Sequence, residues 1–417
     1  MAHLLVLENW VFGTGHLLPK KIRALGHKFT FVTRNKSHYC DDRTNKIHPI
    51  FELADHILTC ETNDPDILIP FLQKQHEVLK FDGILTVCDY YVDAISTVAK
   101  ALDLPQAFSS NVAQVRKKHR VRQLIDDANL PNCKYNVAYN WEETLSAAKQ
   151  LGYPLVIKPS DLASSALVAL INNESELKQA FSDIDEMKVN FREQRREPLW
   201  LLEEYMTGEE YSVEACTFRG ETTILGITDK SITGEPFFIE NGHMFPADIE
   251  EIQAKQITDL VLETLQAVGH DHGLSHTEVK LTPEGPKIVE INSRPGGNYI
   301  AELMEIVTGF DVLKAHIELA LNIKPDVETK TTKCQSAAVQ FYVPHQSGII
   351  QQINGISQLE RHDKVHRFQF EDLVGKTVEP AIDNATYLGH VITFDNSGKG
   401  ARKIAEQLIN QLSVEVE

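Results

Sequence analysis

The sequence predicts a multidomain protein that mixes α/β and α+β architecture, and three observations point there. Short apolar runs alternate with helical periodicity over roughly the first 110 residues, as in a parallel sheet with crossover helices. From Trp200 onward, strand-like runs follow one another directly, as in an antiparallel sheet. At 417 residues the chain also exceeds one comfortable core, so two to four packed units are expected.

In order, the amino-terminal unit reads HLLVLE, a helix through LLPKKIRALG, the strand KFTFVTR, then FDGILTV and a helix through VDAISTVAKALDL. The loops GTG and CDYY follow strand ends, where α/β folds place ligands. From Asn111 to about Leu151 the pattern is helical, with a turn at Asn129 to Asn132. The strand PLVIKP, the small-residue loop DLASSAL and a helix from Glu174 to about Phe181 come next. The charged stretch NFREQRREP reads as a solvated loop or helix end. WLLEEYM, EYSVEACTF and TTILGITDK read as consecutive strands, ITDLVLETLQAVG as an amphipathic helix, and Ile300 to Leu321 as helical. From about residue 334, SAAVQFYV, further short strands and the helix GARKIAEQLINQL read as a small α+β appendage. No internal repeat or low-complexity tract interrupts the chain.

Composition narrows the function class. Hydrophobic residues make up 42% and charged residues 24%, ordinary for a soluble globular chain. The net charge of -18 opposes nucleic acid and anionic membranes while leaving room for a local phosphate pocket. The six cysteines lie far apart without a C-x-x-C pair and read as reduced thiols. The first residues lack a signal-peptide pattern, and no run approaches the roughly 18 to 20 apolar residues of a membrane span. A cytoplasmic location is expected.

Residues 276–297, HTEVKLTPEGPKIVEINSRPGG, read as a hairpin. With the turn centred on Glu284, Glu278 lies opposite Glu290, a like-charge pair that is unfavourable on a ladder. Glu290 and Asn292 share a face beside Glu278, so two carboxylates and an amide oxygen form a hard-oxygen cage suited to Mg²⁺. For the hairpin alone, solvated surface glutamates are the commoner arrangement. Lys158, leaving the strand PLVIK beside a small-residue loop, suits a triphosphate, and Lys118 is a second candidate cation. Each could equally be a lysine in water. The strand WLLEEYM can offer backbone groups at Glu204 and Met206 to a base edge, and Glu210 can accept from ribose hydroxyls. GHDHGLSH, with His270, His272 and His276, has possible zinc spacing, but no further Cys or acid completes a set nearby.

Taken in order, Lys118, VIKPSDLASS, EEYMTGEEYS and HTEVKL…VEINSRPGG resemble the ATP-grasp carboxylate–amine ligases. KPSDLASS, FFIENGHMFPA and HTEVKL resemble, more narrowly, the L-amino acid ligases of the bacilysin-synthetase type. The resemblance implies an ATP-grasp fold with a parallel α/β domain over residues 1–112, a mobile lid subdomain over 113–202, a Mg-ATP-binding subdomain over 203–330 and a small α+β subdomain over 331–417. It implies Lys118 and Lys158 on ATP phosphates, Ser164 and Ser165 in the lid loop, Glu203, Glu204 and Met206 around adenine, and Glu210 on ribose. Glu278, Glu290 and Asn292 would bind two Mg²⁺, with Mn²⁺ able to substitute. Arg294 would steady the substrate carboxylate and acyl phosphate, Ser164 and His243 would line the reacting centre, and Asp89 would meet an amino group. Asn298 sits where the family tunes side-chain size. Two departures stand out: Ala166 and Leu167 replace a glycine after the paired serines, and Asp89 is shorter than the glutamate expected there.

The implied reaction joins two free amino acids through an acyl phosphate, releasing ADP and phosphate. A lid over about residues 125–200 would close on the site. His243, His276 or the phosphate itself would take the amine's proton. Asp89 and the acids around GHMFP favour a basic first amino acid such as arginine. A homodimer is the expected assembly. The competing expectations are a bicarbonate-activating or purine-pathway carboxylating ligase and a non-catalytic nucleotide-binding module.

Overall fold

The protein is described here from a computed structural model covering residues 1–41, 46–233, 237–328, 330, 332–370, 373–384 and 386–417. The amino-terminal unit is a four-stranded parallel sheet in the order His56–Thr59, Lys28–Thr33, His3–Leu7, Gly83–Leu85. Helices cover both faces, so Leu4, Leu5, Val6 and Leu7 are all fully buried in a continuous apolar run. The strand order reverses beside His3–Leu7. The loops after that strand and after Gly83–Leu85 therefore flank one crevice at a topological switch point.

A second unit, in the segment expected to form a lid, is a four-stranded antiparallel sheet in the order Tyr135–Ala138, Trp200–Glu204, Leu155–Pro159, Ala169–Ile171. Its helices Trp141–Leu151 and Glu174–Glu186 begin alike. Asn140 accepts from Glu143 N (2.9 Å) and Asn173 from Glu176 N (3.0 Å). Each glutamate reaches back to a backbone N–H one residue before the cap, at Tyr139 and Asn172 (both 2.8 Å). These are capping boxes legible in N-W-E-E and N-E-S-E, each cap worth about 1 kcal/mol. Phe181 stacks on Trp200 at 4.4 Å to close the lid core.

The largest sheet has eight strands in the order Gly285–Asn292, Gly273–Thr282, Glu209–Phe218, Glu221–Thr233, Ile239–Phe245, Ser336–Tyr342, Gly389–Asp395, Val365–Phe370. The helix Glu251–Ala267 buries Ile257, Leu260, Val261, Thr264 and Leu265, one face at helical spacing, against it. Pairing of Ile239–Phe245 with Ser336–Tyr342 carries this sheet across the expected boundary at 331. The carboxyl-terminal segment thus shares a sheet with the central unit, with a three-stranded sheet of its own beyond.

Other differences have local causes. Tyr135–Ala138 is a strand inside the segment expected to be helical, because it pairs with Trp200–Glu204. Ile300 to Leu321 is two helices, Ile300–Thr308 and Val312–Ala320, parted by Gly309 at φ 70 and restarted by Asp311, which accepts from Lys314 N. The stretch 190–198 is docked rather than solvated. Arg192 is 4% exposed, donates to Asn9 O at 2.6 Å and lies over Tyr39 at 5.0 Å, while Gln194 donates to Tyr90 O at 2.8 Å. Arg34 pairs with Glu61 and Glu193, joining the same two units.

Candidate active site

The three units meet around a cavity of about 1040 Å³. Among the residues singled out from sequence, Asp89, Lys118, Lys158, Ser164, Ser165, Glu203, Glu204, Met206, Glu210, His276, Glu278, Glu290, Arg294 and Asn298 line it. Asn292 lines a small pocket adjoining it, which also reaches Asp89, Lys118 and Glu290. His243 lines neither: it is 1% exposed, with Nε2 3.2 Å from Glu240 Oε2, and Glu240 faces the cavity in its place.

At the hairpin, Glu278 does stand opposite Glu290 and His276 opposite Asn292. The route differs from a turn centred on Glu284. Thr282 pairs with Gly285, and an irregularity between Glu278 and Val279 shifts the ladder by one residue before the acids. Like charge on the ladder is relieved by cations from other elements. Lys118 Nζ lies 3.0 Å from Glu290 Oε2 and Lys230 Nζ 2.9 Å from Glu278 Oε1, while Asn292 donates to Glu290 at 2.9 Å. Burial alone would raise the Glu290 carboxyl, but Lys118 and the Asn292 hydrogen bond overcome it and hold it at about 2.

Lys230 was not singled out from sequence, yet it is the hub of the acidic cluster. Its nitrogen lies 3.1 Å from Glu210, 3.0 Å from Glu240 and 2.9 Å from Glu278. Burial opposes its charge, and the three carboxylates outweigh burial and raise its pKa. One cation among three carboxylates leaves local negative charge, which suits a further cation. Among the described residues no group of three or more His, Cys, Asp or Glu side chains converges for a metal. Of the histidines in GHDHGLSH, His272 Nε2 lies 3.2 Å from Leu319 O and His276 lies between Glu214 and Glu278. The hairpin supplies two carboxylates and an amide, a donor set that fits a hard divalent ion completed by water or phosphate oxygens.

His276 sits between two acids, Nδ1 2.8 Å from Glu214 Oε1 and Nε2 3.2 Å from Glu278 Oε1. Burial would lower its pKa, but Glu214 dominates and lifts it to about 10. The imidazole is thus charged at neutral pH with both nitrogens engaged. It orients Glu278 and is not available as a base.

Beside the lid sheet, Lys158 is 4% exposed and held by Glu203 at 2.6 Å, and Glu203 also pairs with Arg122 at 2.6 Å. Burial would raise Glu203, but Arg122 and Lys158 keep it at about 2. Its carboxylate is therefore engaged by Lys158 and Arg122. Arg122 further donates to the Ile288 and Val289 carbonyls at 2.6 and 3.1 Å, tying the lysine to the hairpin.

Arg294 Nε donates to Asp89 Oδ1 at 2.6 Å, so Asp89 is paired with a guanidinium at the cavity wall. Asn298 donates to Glu240 at 2.7 Å. In the lid loop Ser164, Ser165 and Leu167 hold φ of 60, 57 and 58, the conformation a glycine would adopt freely. Lys118 Nζ donates to Leu162 O at 2.8 Å, binding this loop to the hairpin acid.

Lys230, Glu240, Glu214, Arg122 and Arg192 were the functional residues sequence reasoning missed. Only Glu240 carried a usable signal, lying inside the FFIENGHMFPA stretch. The others gain meaning from strand neighbours or from another domain.

Comparison with known proteins matches three family descriptions in order: an ATP-grasp N-terminal domain over residues 20–106, an ATP-grasp domain over 151–302 and an L-amino acid ligase C-terminal domain 2 over 340–417. The chain is 23% identical over 396 residues to the uncharacterized protein y4rH of Sinorhizobium fredii, covering 91% of this chain and 80% of that one. It is 24% identical over 262 residues to alanine–anticapsin ligase of Bacillus subtilis, covering 59% of this chain and 55% of that ligase. Its structure is similar to the crystal structure of an L-amino acid ligase from Bacillus licheniformis, with a TM-score of 0.81 at 20% identity over 100% and 99% of the two chains.

Proposed function

Taking as premise an ATP-grasp protein, an ATP-dependent carboxylate–amine ligase that resembles L-amino acid ligases, we propose that it joins two unprotected L-amino acids into a dipeptide through an aminoacyl phosphate. The observation that supports this reading is the meeting of Lys118, Lys158, the Glu278–Glu290 pair and Arg294 around one cavity of about 1040 Å³. That volume lies at the upper end of small-molecule sites, with room for a nucleotide and further small reactants.

A carboxylate oxygen of the first amino acid attacks the γ-phosphorus of ATP, and ADP leaves. The amine nitrogen of the second then attacks the acyl carbon, the C–O bond to phosphate breaks, and orthophosphate departs. Lys118 and Lys158 bind and orient the phosphates, and Arg294, held by Asp89, steadies the acyl phosphate. Glu278, Glu290 and Asn292 would hold Mg²⁺, two ions in this reading with Mn²⁺ able to substitute, and the metal neutralises phosphate charge when bound. His276 is already charged and His243 lies behind Glu240, so the departing phosphate is the base that receives the amine's proton. The lid loop excludes water from the acyl phosphate. The preference for a basic first amino acid such as arginine rests on Asp89, shared with Arg294, and on Glu240 in the segment before GHMFP, shared with Lys230. A homodimer is the assembly in this reading.

A panel of L-amino acid pairs with Mg-ATP, read by orthophosphate release and product mass, tests the proposal. The expected result is a dipeptide mass with stoichiometric phosphate. Release that requires bicarbonate and ignores amino acids would overturn it.

A further inference from the structure

The cavity has two chemically different ends. Around the hairpin its wall carries Glu203, Glu204, Glu210, Glu240, Glu278 and Glu290. The other end lies against the amino-terminal sheet, between the segments Trp10–Thr14, His38–Cys40 and Ile47–Pro49 and the lid's Phe191 and Arg192. Among the described residues this end has no carboxylate in its wall, although the whole chain carries a net charge of -18.

Among the described residues its charged side chains, Arg192 and Lys20, are cations. Arg192 is 4% exposed, fixed by Asn9 O and by the Tyr39 ring, and Tyr39 lies beside His48 at 5.6 Å between ring centroids. His48 is buried, and its Nδ1 accepts from Ile50 N at 3.1 Å, so the neutral ring carries its proton on Nε2. The ring also has a backbone hydrogen bond to Trp10, which lines the same end. Burial, with His16, Arg192 and Lys20 nearby, keeps the ring neutral, at about 3. Lys20 lines the same end from an exposed position. The nearby Glu8 does not line the cavity: Tyr39 Oη, Thr62 Oγ1 and Arg34 N all donate to its carboxylate.

This inference rests on the proposed ligation. In that reaction the two amino acids present different groups. The acyl donor loses its carboxylate charge in the chemistry, whereas the amine donor keeps its α-carboxylate throughout and needs a place for it. We propose that this end of the cavity binds the α-carboxylate of the amine-donating amino acid, with Arg192 and Lys20 as its donors and His48 beside them. Arg192 arrives on the lid, so closure completes this subsite, and a guanidinium suits a carboxylate geometrically.

The test compares amine donors of neutral side chain as free acids and as their amides, using the native chain and the acyl donor found in the panel. The free acid is expected to show a KM at least tenfold below its amide. Arg192→Ala should raise the KM for the free acid at least tenfold, toward that of the amide, and by more than it raises the KM for ATP or the acyl donor. Lys20→Met, at an exposed position, should raise the same KM two- to threefold. Equal use of acid and amide by the native chain would overturn the inference, as would an Arg192→Ala effect falling equally on all three reactants. Hydroxylamine as the nucleophile separates the two readings. Hydroxamate formation together with equal use of amides overturns this subsite alone, while no hydroxamate with any amino acid overturns the ligation as well.

Discussion

The hairpin acids and the lid hold their groups in place by opposite means. Glu278, Glu290 and Lys230 project from neighbouring strands of one eight-stranded sheet, so ladder register sets their spacing. Ser164, Ser165 and Arg192 sit on irregular segments, held by local turn hydrogen bonds and by side-chain bonds to other units. Charges that must neutralise one another need the rigid support. Groups that enclose a reactant need a support that can let go.

The largest expected effect breaks the rigid side. Glu290→Ala should reduce ligation by at least about a thousandfold while circular dichroism stays native, since the proposed metal site loses a donor and the sheet is left. Unchanged activity would remove Glu290 from the metal platform. Lys230→Met comes next. It leaves three buried carboxylates without their common cation and should cost about 3–5 kcal/mol in urea unfolding as well as activity. A loss below about 1 kcal/mol would mean the cluster is solvated.

The same cluster predicts a pH profile with two edges. Glu203 and Glu290 are depressed to about 2 from an ordinary 4.5, so their stabilisation is present above pH 4.5 and lost as pH falls toward 2. His276 is raised to about 10 from 6.5, so its contribution is full below pH 6.5 and lost as pH climbs through 10. Thermal melts of His276→Gln should lack the alkaline edge and keep the acid one. On the lid side the effects are smaller. Arg34→Ala should speed proteolysis within residues 188–198 severalfold with little change in melting temperature. Ser165→Gly, relieving a left-handed residue, should change stability by no more than about 1 kcal/mol.

Legibility followed the same divide. The Glu278–Glu290 pairing could be read because alternation along a strand and a short turn leave few registers, although a one-residue ladder shift supplied what the assumed turn did not. NFREQRREP was misread because a run of arginines looks alike in water and against another domain. Only Asn9 O and Tyr39, some 150 to 180 positions away, give Arg192 its place. Helical periodicity from Asn111 to Leu151 hid Tyr135–Ala138, a four-residue strand whose pairing partner lies more than 60 residues on.

By itself the sequence determined what depends on neighbours a few residues apart: the alternation of strands and helices, the capped lid helices, the hairpin and the order of its acids. Tertiary structure alone decided which cation answers each carboxylate, that Asp89 pairs with Arg294, and that His276 stands between Glu214 and Glu278. The reason is physical. Local patterns act through backbone geometry within one element, whereas the charge state of a buried group depends on what other elements bring within a few ångströms of it.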